Sequence, residues 1–236
     1  MEKNPRPTHQ PQKKLPQKQN QKQQNQKPRQ KQPKKITASY LHNSGLYYLE
    51  RYAAGSGHFR SVMTRKIQRS CRVHTDQNFE ECAAMLEEVI SNFIRSGLLN
   101  DALYVESMVR NYRAKGLSRK MILNKLAAKR VDKDDIEAAL SDYDDTAQAS
   151  HSFSDDGNGN DNRIDTELRS AAIFCRKKKL GAYAATPSHK KTLLHDDDKY
   201  MQKQLGKLAR AGFSYDISQK VLALDLDELI EIQNHG

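Results

Sequence analysis

The side chains that most often carry out catalysis or bind metals are scattered through this sequence. Its cysteines, Cys71, Cys82 and Cys175, form no C-x-x-C pair, and the histidines show no H-x-x-x-H spacing. The chain also lacks a glycine-rich phosphate loop, a nucleophile elbow and a pair of acids in an apolar setting. We therefore expect a protein that is not an enzyme, holds no cofactor and no metal, and keeps its cysteines reduced.

Lysine and arginine are the charged side chains whose distribution is most informative. The formal net charge is +11, and residues 1–35 contain eleven cations and a single acid, Glu2. This region is otherwise rich in Gln, Pro and Asn, so it offers too little apolar surface to offset the entropy lost on ordering. It is predicted to be disordered. Such a tail either attracts nucleic acid by counterion release or only solubilises the protein, and both alternatives stay open.

Beyond the tail, basic and acidic residues alternate in blocks. Residues 107–131 contain eight cations and no acid, whereas residues 132–167 contain twelve acids and two cations. The alternatives are solvated helix faces that pair with each other and a surface that binds a partner. Surface ion pairs contribute only about 0–1 kcal/mol each, so the sorting favours a partner. The predicted partner-binding residues are Arg51, Arg65, Lys66, Arg69, Arg110, Arg113, Lys115, Arg119, Lys120, Lys125, Lys129, Arg130, Lys203, Lys207 and Arg210.

Apolar residues recur at helical spacing, and capping residues separate the helices. Asn78, Asn100, Ser118 and Asp132 each precede an apolar series with a period of three to four residues. The junction at 125–132 matches the one at 207–214, which indicates a repeated unit. We predict an all-α fold in which three tandem three-helix repeats form an elongated, curved array.

The predicted domains follow from these boundaries. Residues 1–36 are the disordered basic tail, 37–98 and 99–143 are the first two repeats, and 144–164 are a flexible acidic linker. Residues 165–236 are the third repeat, with an internal insertion and a terminal helix. A three-helix unit cannot bury its own apolar face, so the units must stack. Stacking is expected to bring the basic helices onto one continuous surface.

Two motifs resemble those of the RecX family. Residues 97–101, Gly-Leu-Leu-Asn-Asp, followed by Tyr104, resemble the opening of the family's central repeat. Residues 208–216 resemble its closing Arg-Gly-Phe-Ser motif, and the likeness extends from about Tyr40 to Leu222. Arg130 stands where the family usually has glycine. Positive φ would cost arginine about 1 kcal/mol, so we expect a reshaped turn there.

The resemblance implies a helical crescent that binds in the groove of the RecA filament on single-stranded DNA. It would thereby reduce ATP hydrolysis, strand exchange and co-protease activity. Direct non-specific contact with DNA is compatible with this function. Two alternatives are a general DNA-binding, helix-turn-helix-like protein and a scaffold whose tail alone binds nucleic acid. No signal peptide or membrane-spanning run is visible, so a cytoplasmic monomer without membrane contact is expected.

Overall fold

The computed structural model describes residues 32–149, 162–184 and 195–234. The predicted tail up to residue 31 and the middle of the predicted linker, residues 150–161, lie outside these ranges. All regular secondary structure in the described ranges is helical. The helices are α1 (Ala38–Leu49), α2 (Ser56–Cys71), α3 (Phe79–Arg95), α4 (Asp101–Ala114), α5 (Arg119–Ala127), α6 (Lys133–Ala149), α7 (Asn162–Lys178), α8 (His195–Arg210), α9 (Tyr215–Ala223) and α10 (Leu226–Asn234), with a 3₁₀ turn at Gly181–Tyr183.

Three buried clusters divide the helices into three consecutive groups. The first is built by α1–α3, the second by α4–α6 and the third by α7–α10. The predicted all-α fold of three-helix repeats is therefore confirmed. Helix α10 adds the fully buried Leu229 to the third cluster and so covers apolar surface at the end of the array. The fully buried side chains include Phe59, Ile67 and Phe93 in the first cluster, Ile122, Leu126 and Leu140 in the second, and Leu208 and Val221 in the third.

The second and third repeats share the turn that ends their first and second helices. Positive φ occurs at Gly116 and Lys179 after the first helices, and at Arg130 and Gly212 after the second helices. In each turn the next residue donates its N–H to a carbonyl five residues earlier, as Val131 does to Leu126 and Phe213 to Leu208. The expectation that Arg130 reshapes its turn is wrong. The arginine instead adopts the left-handed conformation, with a φ of 62°.

Helix α6 is longer than the sequence indicated. It continues to Ala149, and α7 begins at Asn162, so both ends of the predicted 144–164 linker are helical. The spacing of apolar residues did not predict this extension, because residues 144–149 are mostly polar and lie beyond the last apolar residues of the helix. Phe79 and Leu98 stand at the two ends of the apolar series that spans α3, and both are partly exposed, at 40% and 49%.

The predicted tail ends earlier than residue 36. Residues 33–36 are held against the segment that joins α2 to α3, and Ile36 is only 2% exposed. The side chain of Gln77 accepts a hydrogen bond from the N–H of Ile36 and donates one to its carbonyl, at 2.9 and 2.8 Å. Ser70 donates to the carbonyl of Lys34 at 2.8 Å. Most of the contacts that hold residues 33–36 are hydrogen bonds. Composition alone therefore places these residues in the tail, because it registers only the apolar content of a segment.

Replacing Gly116 with alanine is expected to destabilise the fold by about 2–3 kcal/mol. A Cβ at this position would lie 2.8 Å from both Ile173 Cβ and the carbonyl oxygen of Ser170, and φ is +72°. Gly97 is the matched control, because its φ is +75° but a Cβ would meet nothing within 4 Å. Gly97→Ala should therefore cost about 1 kcal/mol, the conformational term alone. Urea denaturation of the two variants measures the difference, and equal losses would contradict tight packing of α7 on the Gly116 turn.

Candidate partner-binding surface

The second helices of the three repeats, α2, α5 and α8, meet end to end. At the first junction, Ser118 donates a 2.6 Å hydrogen bond to the carbonyl of Ala211, which joins the end of α8 to the start of α5. A Cβ at Gly212 would lie 2.6 Å from Ser118 Oγ. At the second junction, a Cβ at Gly57 would lie 2.4 Å from the carbonyl oxygen of Arg130, so the end of α5 abuts the start of α2. The three helices therefore succeed one another in the order α8, α5, α2.

A carboxylate from the following repeat caps the second helix at each of two joints. Asp101 of α4 accepts hydrogen bonds from the N–H and the hydroxyl of Ser56, at 2.6 and 2.5 Å. Glu167 of α7 accepts from the N–H of Arg119 through both oxygens, at 3.1 Å. These carboxylates satisfy otherwise unpaired N–H groups and complement the positive end of the helix dipole. Each joint thus fixes where a second helix begins.

Most predicted partner-binding cations lie on this line of helices. Within the described part of the chain, the members on α2, α5 and α8 other than Arg119 form no ion pair with an acid, and seven of them are largely exposed. Their spacing repeats, since Lys203, Lys207 and Arg210 on α8 match Arg65, Arg69 and Arg72 on α2. We call the following set the basic ridge: Arg65, Lys66, Arg69, Lys120, Lys125, Lys129, Arg130, Lys203, Lys207 and Arg210.

Four of the other predicted cations lie away from the ridge or are paired. Arg110 binds Glu106 one turn away on α4, at 2.6 Å. Arg119 binds Glu137 and Asp144 at 3.0 and 3.4 Å, so it joins α5 to α6. Lys115 follows α4, where its carbonyl accepts a hydrogen bond from Lys177. Arg51 follows α1 and rests on the ring of Tyr47, described further below.

Arg113 is a correction to the predicted surface, because its side chain is buried. The residue is 3% exposed, and its guanidinium binds Asp144 of α6 at 3.1 Å and Glu167 of α7 at 2.5 Å. Thr166 also donates to Asp144, at 2.8 Å. Arg113 therefore joins the second repeat to the third and is unavailable to a partner. Counting charges along the sequence could not reveal that its acid partners come from the predicted linker and from α7.

His58 and Arg72 belong to this surface but were missed from the sequence. His58 lies at the joint between α5 and α2, where burial lowers the pKa of its imidazole and the nearby cations Lys129 and Arg65 lower it further. Arg72 lines a shallow depression with Arg65 and Arg69. The i, i+4, i+7 spacing of these three arginines was a signal that could have identified Arg72. No comparable signal existed for His58, whose neighbours come from another repeat.

Arg130→Gly is expected to raise the free energy of unfolding by about 0.5–1 kcal/mol, because glycine adopts positive φ without strain. The same change removes one cation from the ridge, so partner binding should weaken while stability increases. Arg130→Ala provides the matched control, since it removes the cation and keeps a side chain at positive φ. Thermal unfolding measures the difference between the two variants. Equal stability of both would contradict strain at this residue.

The described residues offer no metal centre and no membrane-spanning helix. They contain no group of three or more side chains suited to a metal ion, and no helix among them is long and apolar enough to cross a membrane. Cys82 and Cys175 are buried and Cys71 is partly buried, all as free thiols. Burial raises the pKa of the Cys175 thiol to about 12.

Comparison with known proteins identifies the family. A family model for the second three-helix domain of RecX matches residues 100–140, which correspond to α4–α6. The regulatory protein RecX of Myxococcus xanthus is 31% identical over 189 residues, which cover 80% of this chain and 87% of that protein. The regulatory protein RecX of Agrobacterium fabrum is 26% identical over 194 residues, covering 82% and 88%. No solved structure matches the chain. With such identity across most of both sequences, the chain belongs to the RecX family of regulatory proteins.

Proposed function

We propose that this chain binds the RecA filament assembled on single-stranded DNA and restrains its activity. The basic ridge is the observation that carries this proposal. Its ten cations come from three repeats, and the helices that bear them meet end to end. The ridge cations have no acid partner among the described residues, so ion pairing within the fold gives no reason for their segregation. A surface of this kind attracts an extended anionic partner.

The RecA filament is such a partner, because it combines protein surface with a continuous phosphodiester chain. Bound along the filament, the protein reduces ATP hydrolysis, strand exchange and co-protease activity without a catalytic step of its own. It acts in the cytoplasm as a monomer and needs no cofactor. The spread of cations over three second helices is unlike a helix-turn-helix protein, in which one recognition helix enters the major groove.

Titration of the purified protein into a RecA ATPase assay on single-stranded DNA tests the proposal. We expect suppression at amounts well below the amount of RecA, and we expect it to survive deletion of residues 1–32. Suppression that appears only when the protein saturates the DNA would indicate competition for the strand instead. Loss of all suppression on deletion of the tail would assign the function to the tail, and a footprint at one duplex sequence would indicate a sequence-specific regulator.

A further inference from the structure

Two stacks of planar side chains lie where α1 ends, one of a guanidinium on a ring and one of two rings. The guanidinium of Arg51 rests 3.6 Å from the centre of the Tyr47 ring. The rings of Tyr48 and Tyr52 have their centres 5.2 Å apart and are tilted by 37°. The outer rings of both stacks face solvent, since Tyr47 is 62% exposed and Tyr52 is 57% exposed. Two large, largely exposed rings within six residues of the chain differ from the single apolar residues that are common on protein surfaces.

The Tyr48–Tyr52 stack packs against α2, the helix that bears the first cations of the basic ridge. The inner ring, Tyr48, packs against Phe59 of α2 with ring centres 6.1 Å apart. Its hydroxyl lies close enough to Arg65 for the cation to oppose the increase in pKa that burial and Tyr52 cause. The chain passes from Tyr52 into α2 within four residues, at the joint where α5 ends. The Tyr48–Tyr52 stack thus lies against α2, the helix that bears Arg65.

An aliphatic depression adjoins the Tyr47 ring. It is lined by Leu46, Tyr47, Leu49, Glu50 and Leu98 and has a volume of about 500 Å³. Leu98 reaches it because Gly97 ends the preceding helix with positive φ and turns the chain outward. A flat ring, a stacked guanidinium and an apolar floor suit a flat heterocycle, which has apolar faces and polar edges.

We propose that Tyr47 with Arg51, and Tyr52, form a platform on which unpaired bases stack while their phosphates lie on the basic ridge. The partner is single-stranded nucleic acid. Bases inside a duplex are stacked on each other and cannot reach the platform, whereas the bases of a single strand can. Arg51 contributes both a planar surface for stacking and a positive charge. This inference rests on the proposed function, because it takes the basic ridge as the binding surface. It adds that the molecule bound there is single-stranded nucleic acid.

Binding of a labelled oligothymidylate and of a duplex of equal length, measured without RecA, tests the platform. Tyr47→Ala and Tyr52→Ala should each weaken single-strand binding about tenfold and leave duplex binding unchanged. The dependence of affinity on salt should keep its slope, because no phosphate contact is lost. Tyr47→Phe and Tyr52→Phe should restore binding, since stacking needs the ring and not the hydroxyl. Tyr215→Ala is the matched control: Tyr215 is 63% exposed on α9 and should have no effect.

Three results would overturn the inference. Unchanged single-strand binding by the alanine variants would exclude stacking, and an equal loss on duplex would show that the rings only support the cations. If the alanine variants lost RecA suppression but kept single-strand binding, the platform would contact the RecA protein and not the bases. Because the binding assay contains no RecA, a protein that binds oligothymidylate through the platform but fails to suppress RecA would contradict the proposed function alone.

Discussion

Replacement of Arg113 with alanine is expected to lower the free energy of unfolding by about 3–5 kcal/mol. The guanidinium is almost fully buried and binds carboxylates from two helices, Asp144 of α6 and Glu167 of α7. Their side chains are only 14% and 20% exposed, so removing the cation leaves two poorly hydrated negative charges close together. Urea denaturation of the whole chain measures the effect.

Arg110→Ala is the control for this prediction. Arg110 lies on the same helix, but its side chain is 67% exposed and its ion pair with Glu106 is local. That change should cost less than about 0.5 kcal/mol. A loss below 1 kcal/mol for Arg113→Ala would contradict a desolvated joint between the second and third repeats.

The largest functional effect is expected from neutralising the middle of the basic ridge. A variant with glutamine at Lys120, Lys125 and Lys129 should bind single-stranded DNA about 100-fold more weakly at about 0.1 M salt. Each phosphate contact on a single strand contributes about 0.7 to the slope of log affinity against log salt, so the slope should decrease by about 2. Suppression of RecA should fall in parallel, because we propose that the filament occupies the same surface. Salt titration of oligothymidylate binding provides the slope.

A charge-matched variant separates the position of these cations from their number. Arg95, Lys133 and Lys178 are exposed and lie on α3, α6 and α7, outside the ridge. Replacing all three with glutamine changes the net charge by the same amount. Binding should weaken less than about threefold, since only long-range attraction is affected and salt screens it. An equal loss in the two variants would show that net charge alone drives binding.

Local signals were sufficient to predict the repeats. The match between residues 125–132 and 207–214 indicated equivalent junctions, and both contain a positive-φ residue followed by the same backbone hydrogen bond. Asn78, Asn100 and Ser118 cap helices as predicted. These features involve residues three to five apart, so the sequence order itself reveals them.

The joints could not be predicted, because they connect residues far apart in the chain. Ser118 binds Ala211, 93 residues away, and Arg113 binds Glu167, 54 residues away. Nothing in a single sequence pairs such positions. For the same reason the sequence predicts Arg113 to be on the surface. Its basic neighbours Arg110 and Lys115 do lie there. The exposed stacks at Tyr47 and Tyr52 were missed because helical spacing suggests burial for aromatic residues as readily as exposure.

The capping carboxylates at the joints also determine which fragments of this chain are complete. Helix α2 takes its side-chain cap from Asp101, and Glu167 accepts from the first N–H of α5, which Ser118 also caps; each carboxylate lies at the beginning of the next repeat. A cut at a repeat boundary therefore removes a cap from the repeat that is kept. We therefore expect a fragment of the first or second repeat to be more stable when it keeps the first helix of its successor. Because a residue of one repeat accepts a hydrogen bond from the helix of another, the stabilities of neighbouring repeats are coupled. A local opening of α7 would therefore also destabilise the start of α5.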